Sequence, residues 1–343
     1  MRPDAHSSMR ILSETDVRAL IDCEAAREAV RDAFLALHRD EAVLPDVMHF
    51  DFLAARGEAH VKGAWLGGEN ELWTVKAATG FSENPAAGLP IIGGLSLTLS
   101  AKTGLPHTLI LDNGWLTELR TGAAGALAAD LLALPTAGRV AVLGSGNQVS
   151  FQLEALALVR EIHGVALWGR SPEHAEQRAN LIRTELGLDV EVHTGVESAV
   201  RDAEIIITAT AARTPLLEAA WIAPGTHITA MGSDMPAKQE LAVEVLARAD
   251  LVVVDALSQA ATQGEVHHAA AAGAIELRDV ATIGQLLSGG HPGRETDSQI
   301  TVADLTGLGV QDAAVAGLVS AMADQQELGT QLSLEHGHVK VSE

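Results

Sequence analysis

Tyrosine is absent from this 343-residue chain, and all aromatic residues together make up only 3% of it. Hydrophobic residues nevertheless account for 47%, so the core must be built from aliphatic side chains. The length suffices for one large domain or two of ordinary size. The single cysteine, Cys23, excludes an internal disulfide, and we expect it to be a small core residue of an amphipathic helix.

Basic residues are also scarce, with 23 Lys and Arg against 45 Asp and Glu and a net charge of -22. Such a surface repels phosphate backbones and anionic lipid, so the composition argues against a nucleic acid or a membrane as partner. No apolar run reaches transmembrane length, and the first residues lack the apolar stretch of a signal peptide. We therefore expect a cytoplasmic protein in which the residues before Met9 form a disordered leader.

Signatures of two other kinds of site are missing. His267 and His268 are adjacent and lack the four-residue spacing of a zinc-binding pair, so no metal site is predicted. The Gly-x-Ser-x-Gly turn that presents a serine nucleophile does not occur either. The chemistry must therefore be sought in other motifs.

The N-terminal third of the chain predicts an α+β unit. Ser13 and Asp16 fit a capping box before a short helix, and Asp22 is placed to cap a second one. Between residues 47 and 111, short β-like runs are punctuated by Gly and Asn, which predicts an antiparallel sheet.

From Arg139 onward, aliphatic runs such as "RVAVLGSG", "EIIITATA" and "HITAMGS" alternate with helical segments. Nearly continuous aliphatic strands are typical of a parallel sheet buried on both faces. The pattern predicts an α/β fold, a Rossmann-type doubly wound parallel sheet plus an α+β domain. We place the Rossmann domain at residues 121–316.

A candidate phosphate loop, "VAVLGSGNQV", places Gly144 and Gly146 between the first strand of this alternation and a helix. Backbone N–H groups at such a helix start can hold a pyrophosphate, and glycines let it approach. Val149 stands where the third glycine of the usual fingerprint would be. The alternative is a tight turn that binds no ligand.

The end of the next strand distinguishes NAD from NADP binders. NAD binders place an acid there for the ribose hydroxyls, whereas NADP binders offer Arg and hydroxyl groups to the 2′-phosphate. Here the strand ends in Gly169, Arg170 and Ser171, without an acid. The sequence therefore favours NADP over NAD as cofactor, unless Arg170 merely lies at the surface.

Three cations of the α+β domain are candidate anion ligands. Lys62 and Lys76 lie in β-like runs, and Arg120 opens an Ala-rich helix. A cation in the first helical turn opposes the helix dipole, which makes sense if an anion binds beside it. The alternatives are a salt bridge from Arg120 to Glu118 or another acid, and lysines that only cover apolar surface.

Asp234 follows a predicted strand, in "ITAMGSDMPAKQEL". Ligands of open α/β sheets bind beyond the carboxyl ends of the strands, so we expect this carboxylate to face the nicotinamide. A carboxylate there can donate or accept a proton. The alternative is that Asp234 only caps a following helix.

Five stretches together resemble the ornithine cyclodeaminase/μ-crystallin family, from about Ile11 to Ala323: "VKAATGF…NPAAGLP", "LDNGWLTELRTGAAGALAA", "GSGNQ", "MGSDMPAKQEL" and "DLTGLGVQD". The branch that is most similar holds the iminosuccinate reductases and the ectoine-utilisation protein. The resemblance implies a homodimer with an NAD(P)-binding Rossmann domain. It also implies that residues 1–120 and 317–343 together form an α+β domain for dimerisation and substrate binding. It also implies hydride transfer at an amino-acid α-carbon.

The resemblance implies a role for each site residue. Lys76 and Arg120 would hold the substrate α-carboxylate, and Asp234 would exchange the proton. The residues implied to bind the cofactor are Gly144, Gly146, Asn147 and Gln148 at the pyrophosphate, Gly169, Arg170 and Ser171 at the adenosine phosphate, and Thr210 and Met231 at the nicotinamide.

Two departures bear on the substrate. Ornithine cyclodeaminases carry an additional arginine where this chain has Met48 and His49, and they lack Lys62. The different cations suit a second carboxylate, so Lys62 and His49 are further candidate substrate ligands, and reduction of iminosuccinate to aspartate is the leading hypothesis. The alternatives are an ornithine cyclodeaminase or a pyrroline or piperideine carboxylate reductase, and a non-catalytic, crystallin-like NADP-binding protein.

Overall fold

The computed structural model describes residues 8–68, 71–334 and 340–341. The chain divides into two compact units, residues 1–120 with 308–343, and residues 121–307. The second boundary precedes the one expected from the sequence, because the last long helix belongs entirely to the first unit. Apart from Ser8, the expected leader lies outside the described residues.

The described residues form sixteen strands. In chain order they are β1 (Ser8–Ser13), β2 (Met48–Phe52), β3 (Gly57–Trp65), β4 (Leu72–Phe81), β5 (Ile92–Ser100), β6 (Pro106–Leu111), β7 (Arg139–Leu143), β8 (Gly164–Trp168), β9 (Val190–His193), β10 (Ile205–Thr208), β11 (His227–Ala230), β12 (Leu251–Val254), β13 (Ala281–Thr282), β14 (Thr301–Asp304), β15 (Thr330–Ser333) and β16 (Lys340–Val341).

The same residues form eleven α-helices and four short 3₁₀ turns. The helices are α1 (Glu14–Leu20), α2 (Cys23–His38), α3 (Trp115–Leu132), α4 (Gln148–Ala157), α5 (Pro172–Glu185), α6 (Val196–Val200), α7 (Val243–Arg248), α8 (Leu257–Ala260), α9 (Gly264–Ala271), α10 (Ile283–Leu287) and α11 (Gly309–Gln326). Within the described part, no helix combines the length and apolarity needed to span a bilayer.

The first unit contains a sheet in the order β16-β15-β1-β6-β5-β4-β3-β2. Strands β2 to β6 pair antiparallel, as predicted, whereas β1 runs parallel to β6. Helix α11 packs against α2 and against β3, β4 and β5. The capping box of Ser13 and Asp16 starts α1, and Asp22 caps α2, so both predicted helix starts are confirmed.

The second unit contains an all-parallel sheet in the order β13-β12-β14-β11-β10-β7-β8-β9. Its central strands are buried along their whole length. Separate aliphatic clusters pack on its two faces. Crossover connections return every strand in the same direction, so the carboxyl ends of the strands lie at one edge. The predicted Rossmann-type sheet is confirmed.

Candidate active site

Strands β3 and β4 place two lysines directly opposite each other on the packed face of the first unit's sheet. Lys62 pairs in register with Lys76, and Lys76 pairs with Ser96 of β5. The two lysines are only 6% and 5% exposed. Like charges opposite one another destabilise a sheet, so this arrangement requires an anion nearby.

Asp312, in the first turn of α11, supplies that anion. Its Oδ1 atom lies 2.7 Å from Lys76 Nζ and 3.0 Å from Arg120 Nε. Arg120 also donates from Nη1 to Gln311 Oε1 at 3.1 Å. Gly309 brings the helix start close to β3, because a Cβ at this position would lie 2.5 Å from the Gly63 carbonyl oxygen. We call Lys62, Lys76, Arg120, Gln311 and Asp312 the basic cluster.

Burial dominates the electrostatics of the basic cluster. Burial, together with the charges of Arg120 and Lys62, lowers the pKa of Lys76 to about 7 against the opposing attraction of Asp312. Burial would raise the pKa of Asp312, but the charges of Lys76, Arg120 and Lys62 outweigh it and hold the pKa below its usual value. Asp312 is therefore a carboxylate at neutral pH.

Two buried polar atoms of α11 point to a ligand. Among the described residues, neither Asp312 Oδ2 nor Gln311 Nε2 has a hydrogen-bond partner. Gln311 is fully buried and Asp312 is 3% exposed. Unsatisfied buried donors and acceptors cost about 1–3 kcal/mol each, so such atoms are common where a ligand completes the site. One atom accepts and the other donates, which suits a molecule that carries both an N–H group and a carboxylate.

The expectation that Arg120 lies in the first turn of its helix is wrong. Helix α3 begins at Trp115, so Arg120 is in the second turn. Asp112 starts the helix early, since its side chain accepts hydrogen bonds from the N–H groups of Gly114 and Leu116. The helix dipole acts mainly within the first turn and gives no argument for an anion beside Arg120. The salt bridge of Arg120 is formed with Asp312 rather than with Glu118.

His49 is not part of this cluster. It lies on the edge strand β2 opposite His60 of β3, and the two ring centroids are 4.9 Å apart. The side chain of His49 is exposed, whereas His60 is buried on the same face as Lys62.

In the second unit, the candidate phosphate loop joins β7 to α4. Gly144 has φ +143°, and a Cβ there would lie 2.5 Å from the Ala209 carbonyl oxygen, so a side chain would not fit. No atom would lie within 4 Å of a Cβ at Gly146, so the loop is open to a ligand at that point. Asn147 precedes the helix and Gln148 opens it. Val149, in place of the third glycine, packs into the core beneath the loop.

The end of β8 lies against the same loop. A Cβ at Gly169 would lie 3.0 Å from Ser145, which explains the small residue at this position. Arg170 is exposed, and Ser171 caps α5 by accepting from the N–H group of His174. Arg178 of α5 donates to Asn147 Oδ1 at 2.7 Å, so it joins this helix to the phosphate loop.

Asp234 does not cap a helix, and that alternative is wrong. The residues after it form a turn, and the next helix, α7, begins only at Val243. The carboxylate instead pairs with Lys238, with Oδ1 2.7 Å from Nζ. Its side chain remains 36% exposed while that of Lys238 is 11% exposed, so the carboxylate is held by a buried cation and is still accessible.

Thr210 and Met231 follow the adjacent strands β10 and β11, and both bind the same strand-end network. Thr210 donates its hydroxyl group to Glu240, and the Met231 N–H group donates to the Thr208 carbonyl oxygen. Met231 is buried and Thr210 is half-buried.

Four residues of these clusters escaped the sequence reasoning, namely Asp312, Gln311, Lys238 and Glu240. Asp312 and Gln311 belong to the "DLTGLGVQD" stretch, and Lys238 and Glu240 to "MGSDMPAKQEL". Membership in these two family-like stretches was therefore the only signal for the four residues. An acid near a helix start or a lysine in a turn does not by itself indicate a functional site.

A sequence profile of the ornithine cyclodeaminase/mu-crystallin family matches residues 7–327. The chain belongs to this family. Among its relatives, a putative dehydrogenase of Rhizobium meliloti is 42% identical over 326 residues, which cover 94% of this chain and 98% of the relative. Alanine dehydrogenase of Archaeoglobus fulgidus is 36% identical over 323 residues, covering 94% and 97%.

Solved structures of family members have the same fold. A dimeric archaeal alanine dehydrogenase with bound NAD matches with a TM-score of 0.87 and 35% identity, covering 94% of this chain and 98% of that one. Thermococcus litoralis Delta(1)-pyrroline-2-carboxylate reductase with NADH and L-proline matches with a TM-score of 0.89 and 29% identity, covering 94% of this chain and 99% of that one. Paracoccus denitrificans iminosuccinate reductase with NAD+ matches with a TM-score of 0.86 and 30% identity, covering 94% of this chain and 99% of that one. The predicted family and fold class are confirmed.

Proposed function

We propose that the protein is an NAD(P)H-dependent imino-acid reductase, or in reverse an amino-acid dehydrogenase, that acts at the α-carbon of a small amino acid. The basic cluster carries this proposal. Lys76 and Arg120 share one oxygen of Asp312, so their combined charge exceeds that of the acid between them. A buried excess of positive charge is costly unless an anion binds, and the carboxylate of an imino acid is such an anion.

Substrate binding and proton transfer would then be carried out by different residues. Lys76 and Arg120 bind the α-carboxylate of the substrate through charge-assisted hydrogen bonds. Asp234 donates a proton to the imine nitrogen during reduction and accepts one from the ammonium group in the reverse direction. Its carboxylate also favours the protonated imine, which accepts hydride more readily than the neutral imine. Lys238 pairs with Asp234 and so fixes the position of this carboxyl group.

The phosphate loop fits a nicotinamide dinucleotide. It has a left-handed glycine, an open approach at Gly146 and the N-terminus of a ten-residue helix, which together make a pyrophosphate site. Gly144, Gly146, Asn147 and Gln148 would hold the pyrophosphate, with Thr210 and Met231 beside the nicotinamide. A bound reduced nicotinamide would supply the hydride. NAD or NADH is bound in the three family structures.

We further propose NADP as the preferred form of the cofactor. No acid follows β8, and the groups offered to the adenosine ribose are Gly169, the exposed Arg170 and Ser171. A guanidinium group at this position suits a 2′-phosphate better than a ribose diol.

For the substrate, we propose iminosuccinate, which yields aspartate. Lys62 is buried beside Lys76 and its charge acts on both Lys76 and Asp312, so it is placed to meet a second carboxylate. His49 lies near His60 at the edge of the same sheet face and is a weaker candidate for that role. Reduction of pyrroline-2-carboxylate is a second candidate, favoured by the similarity to the enzyme of Thermococcus litoralis.

We also propose a homodimer. The first unit exposes large apolar side chains that a soluble monomer would rarely leave in water. These are Met48, Phe50, Phe52, Leu53, Leu89, Ile91, Ile92 and Leu95. Light scattering on the purified protein tests this proposal: twice the chain mass of 35.8 kDa supports it, and the chain mass contradicts it.

The activity is tested by following oxidation of NADH and of NADPH with a panel of imines. Ammonium with oxaloacetate, pyruvate or glyoxylate supplies open imino acids, and pyrroline-2-carboxylate supplies a cyclic one. Ornithine with the oxidised cofactor tests cyclodeamination, with ammonia release as readout. Turnover of an imino acid supports the proposal. Tight cofactor binding without turnover of any compound favours a non-catalytic protein.

A further inference from the structure

Glu240 is a fully buried acid whose carboxylate touches the ends of two adjacent strands of the second unit. Its Oε1 atom accepts from the N–H group and the hydroxyl group of Thr210, at 2.6 and 2.7 Å. Its Oε2 atom accepts from the Thr208 hydroxyl group at 2.7 Å and from the Gly232 N–H group at 2.8 Å. All four partners can donate to the carboxylate, and these hydrogen bonds oppose the burial that raises the pKa of Glu240.

The backbone of Glu240 is fixed as firmly as its side chain. Its N–H group donates to Glu265 Oε1 at 2.8 Å, and its carbonyl oxygen accepts from the N–H group of Leu216 at 2.7 Å. The side chain therefore projects from an anchored point. Gly232 has no room for a side chain beside it, since a Cβ would lie 2.6 Å from Glu240 Cδ and 2.2 Å from the Thr210 carbonyl oxygen.

The segments that Glu240 joins are those that carry the proposed nicotinamide and proton-transfer residues. Thr210 and Met231 are bonded within this network, and Asp234 lies two residues beyond Gly232. The segment before Thr210 also contacts the phosphate loop, because the Ala209 carbonyl oxygen lies 2.5 Å from the position that a Cβ of Gly144 would take. One side chain thus sets the spacing of the strand ends around which the nicotinamide would lie.

We propose that Glu240 is a positioning residue for hydride transfer, which fixes the Thr210 and Gly232 segments so that the nicotinamide and Asp234 are held in the reactive arrangement. This inference rests on the proposed function. Displacement of a reacting group by about 1 Å can cost roughly a hundredfold in rate, so the positioning of these two segments matters for chemistry. Binding of the adenosine half of the cofactor depends on other residues and would not need Glu240.

Glu240→Gln tests this role. The amide keeps the shape of the side chain but turns an NH₂ group toward one backbone N–H donor, so at least one of the four hydrogen bonds is lost. We expect kcat for imine reduction to fall at least roughly tenfold, while the Kd for NADPH changes less than roughly threefold. The fluorescence of bound NADPH should also change, because the nicotinamide loses its fixed surroundings.

Glu244→Gln, which makes the same chemical change at an exposed acid of α7 in the same unit, is the control. We expect its kcat and its NADPH fluorescence to match the wild type. If Glu240→Gln does not fold, Thr208→Val is the second test. This variant removes one donor and leaves the acid, so we expect a loss of kcat that is smaller than roughly tenfold.

The outcomes separate this inference from the proposed function. Wild-type kcat and unchanged NADPH fluorescence in Glu240→Gln, with only a lower Tm, would show a purely structural role and overturn the inference. An equal loss of kcat in Glu244→Gln would overturn it as well. A wild-type protein that binds neither NADH nor NADPH would overturn the proposed function, and the inference with it.

Discussion

Lys76 Nζ lies 2.7 Å from Asp312 Oδ1, and both side chains are almost completely shielded from water. The partners are 236 positions apart in the sequence, yet both belong to the first unit. Arg120 binds the same carboxylate oxygen. One acid therefore holds two buried cations on the packed face of a sheet.

Lys76 should make the stability of the protein depend on pH in alkaline solution. Its pKa is about 7 in the folded protein and near 10.5 when unfolded, so between these values the unfolded chain binds one proton more. The free energy of unfolding should therefore rise with pH in this window, by about 1.4 kcal/mol per pH unit for a full proton. Urea unfolding at a series of pH values should show that Lys76→Met loses this rise. The same slope in variant and wild type would contradict the shifted pKa.

Asp234→Asn should cut kcat for imine reduction at least roughly a hundredfold, because general acid–base help is lost. Binding of NADPH, followed by fluorescence, should be unchanged. Glu244→Gln, at an exposed acid of α7, is the control and should retain full activity. Undiminished turnover in Asp234→Asn would show that this carboxylate takes no part in proton transfer.

Arg120→Met should chiefly raise the KM for the imino acid, since the carboxylate loses a charge-assisted bond worth about 1.5–3 kcal/mol. Circular dichroism and Tm must be measured alongside, because removing one member of a buried ion-pair cluster also destabilises the fold. Arg120→Lys keeps the charge and should give an intermediate KM. A folded Arg120→Met variant with a wild-type KM would assign Arg120 a structural role.

Lys62→Met should reduce the preference for a dicarboxylate. We expect kcat/KM for iminosuccinate to fall roughly tenfold to a hundredfold, the scale of one lost charge-assisted bond, with little change for the imine of pyruvate. Lys102→Met removes an exposed lysine of the same unit, paired with Glu71, and serves as the control. Equal losses for the two imines would remove the argument for a second carboxylate.

Arg170→Ala should raise the KM for NADPH and spare that for NADH, because only NADPH carries the 2′-phosphate. Arg201→Ala, which changes another exposed arginine of the second unit, should affect neither. If Arg170→Ala changes the KM values for NADPH and NADH equally, Arg170 does not bind the 2′-phosphate.

The features that sequence reasoning predicted are local ones. The capping residues Ser13 and Asp22, the glycine turn around Gly144 and the aliphatic strands each follow from a few neighbouring residues. Helix α3 begins earlier than predicted, because Asp112 caps it from three positions before Trp115. The sequence around Asp112 is typical of a turn and gives no sign of a helix start. The helix expected after Asp234 is replaced by a turn, where Lys238 binds the carboxylate.

The partners of the basic cluster could not be predicted in this way. Asp312 meets Arg120 across 192 positions, and an acid in the first turn of a helix usually needs no partner beyond the helix dipole. Glu240 is hidden for a similar reason, since a Glu between Gln and Leu gives no sign that it will be buried beneath two strand ends. Such residues become visible only when the fold brings distant segments together.

The most direct test of the proposed reaction is isotope transfer. The protein is incubated with ammonium, oxaloacetate and NADPH that carries deuterium at the transferable position of the nicotinamide, and the amino-acid product is examined by mass spectrometry and NMR. We predict aspartate with deuterium on its α-carbon. If the protein binds NADPH but no imino acid in the panel yields an α-deuterated amino acid, the proposed reductase activity is contradicted.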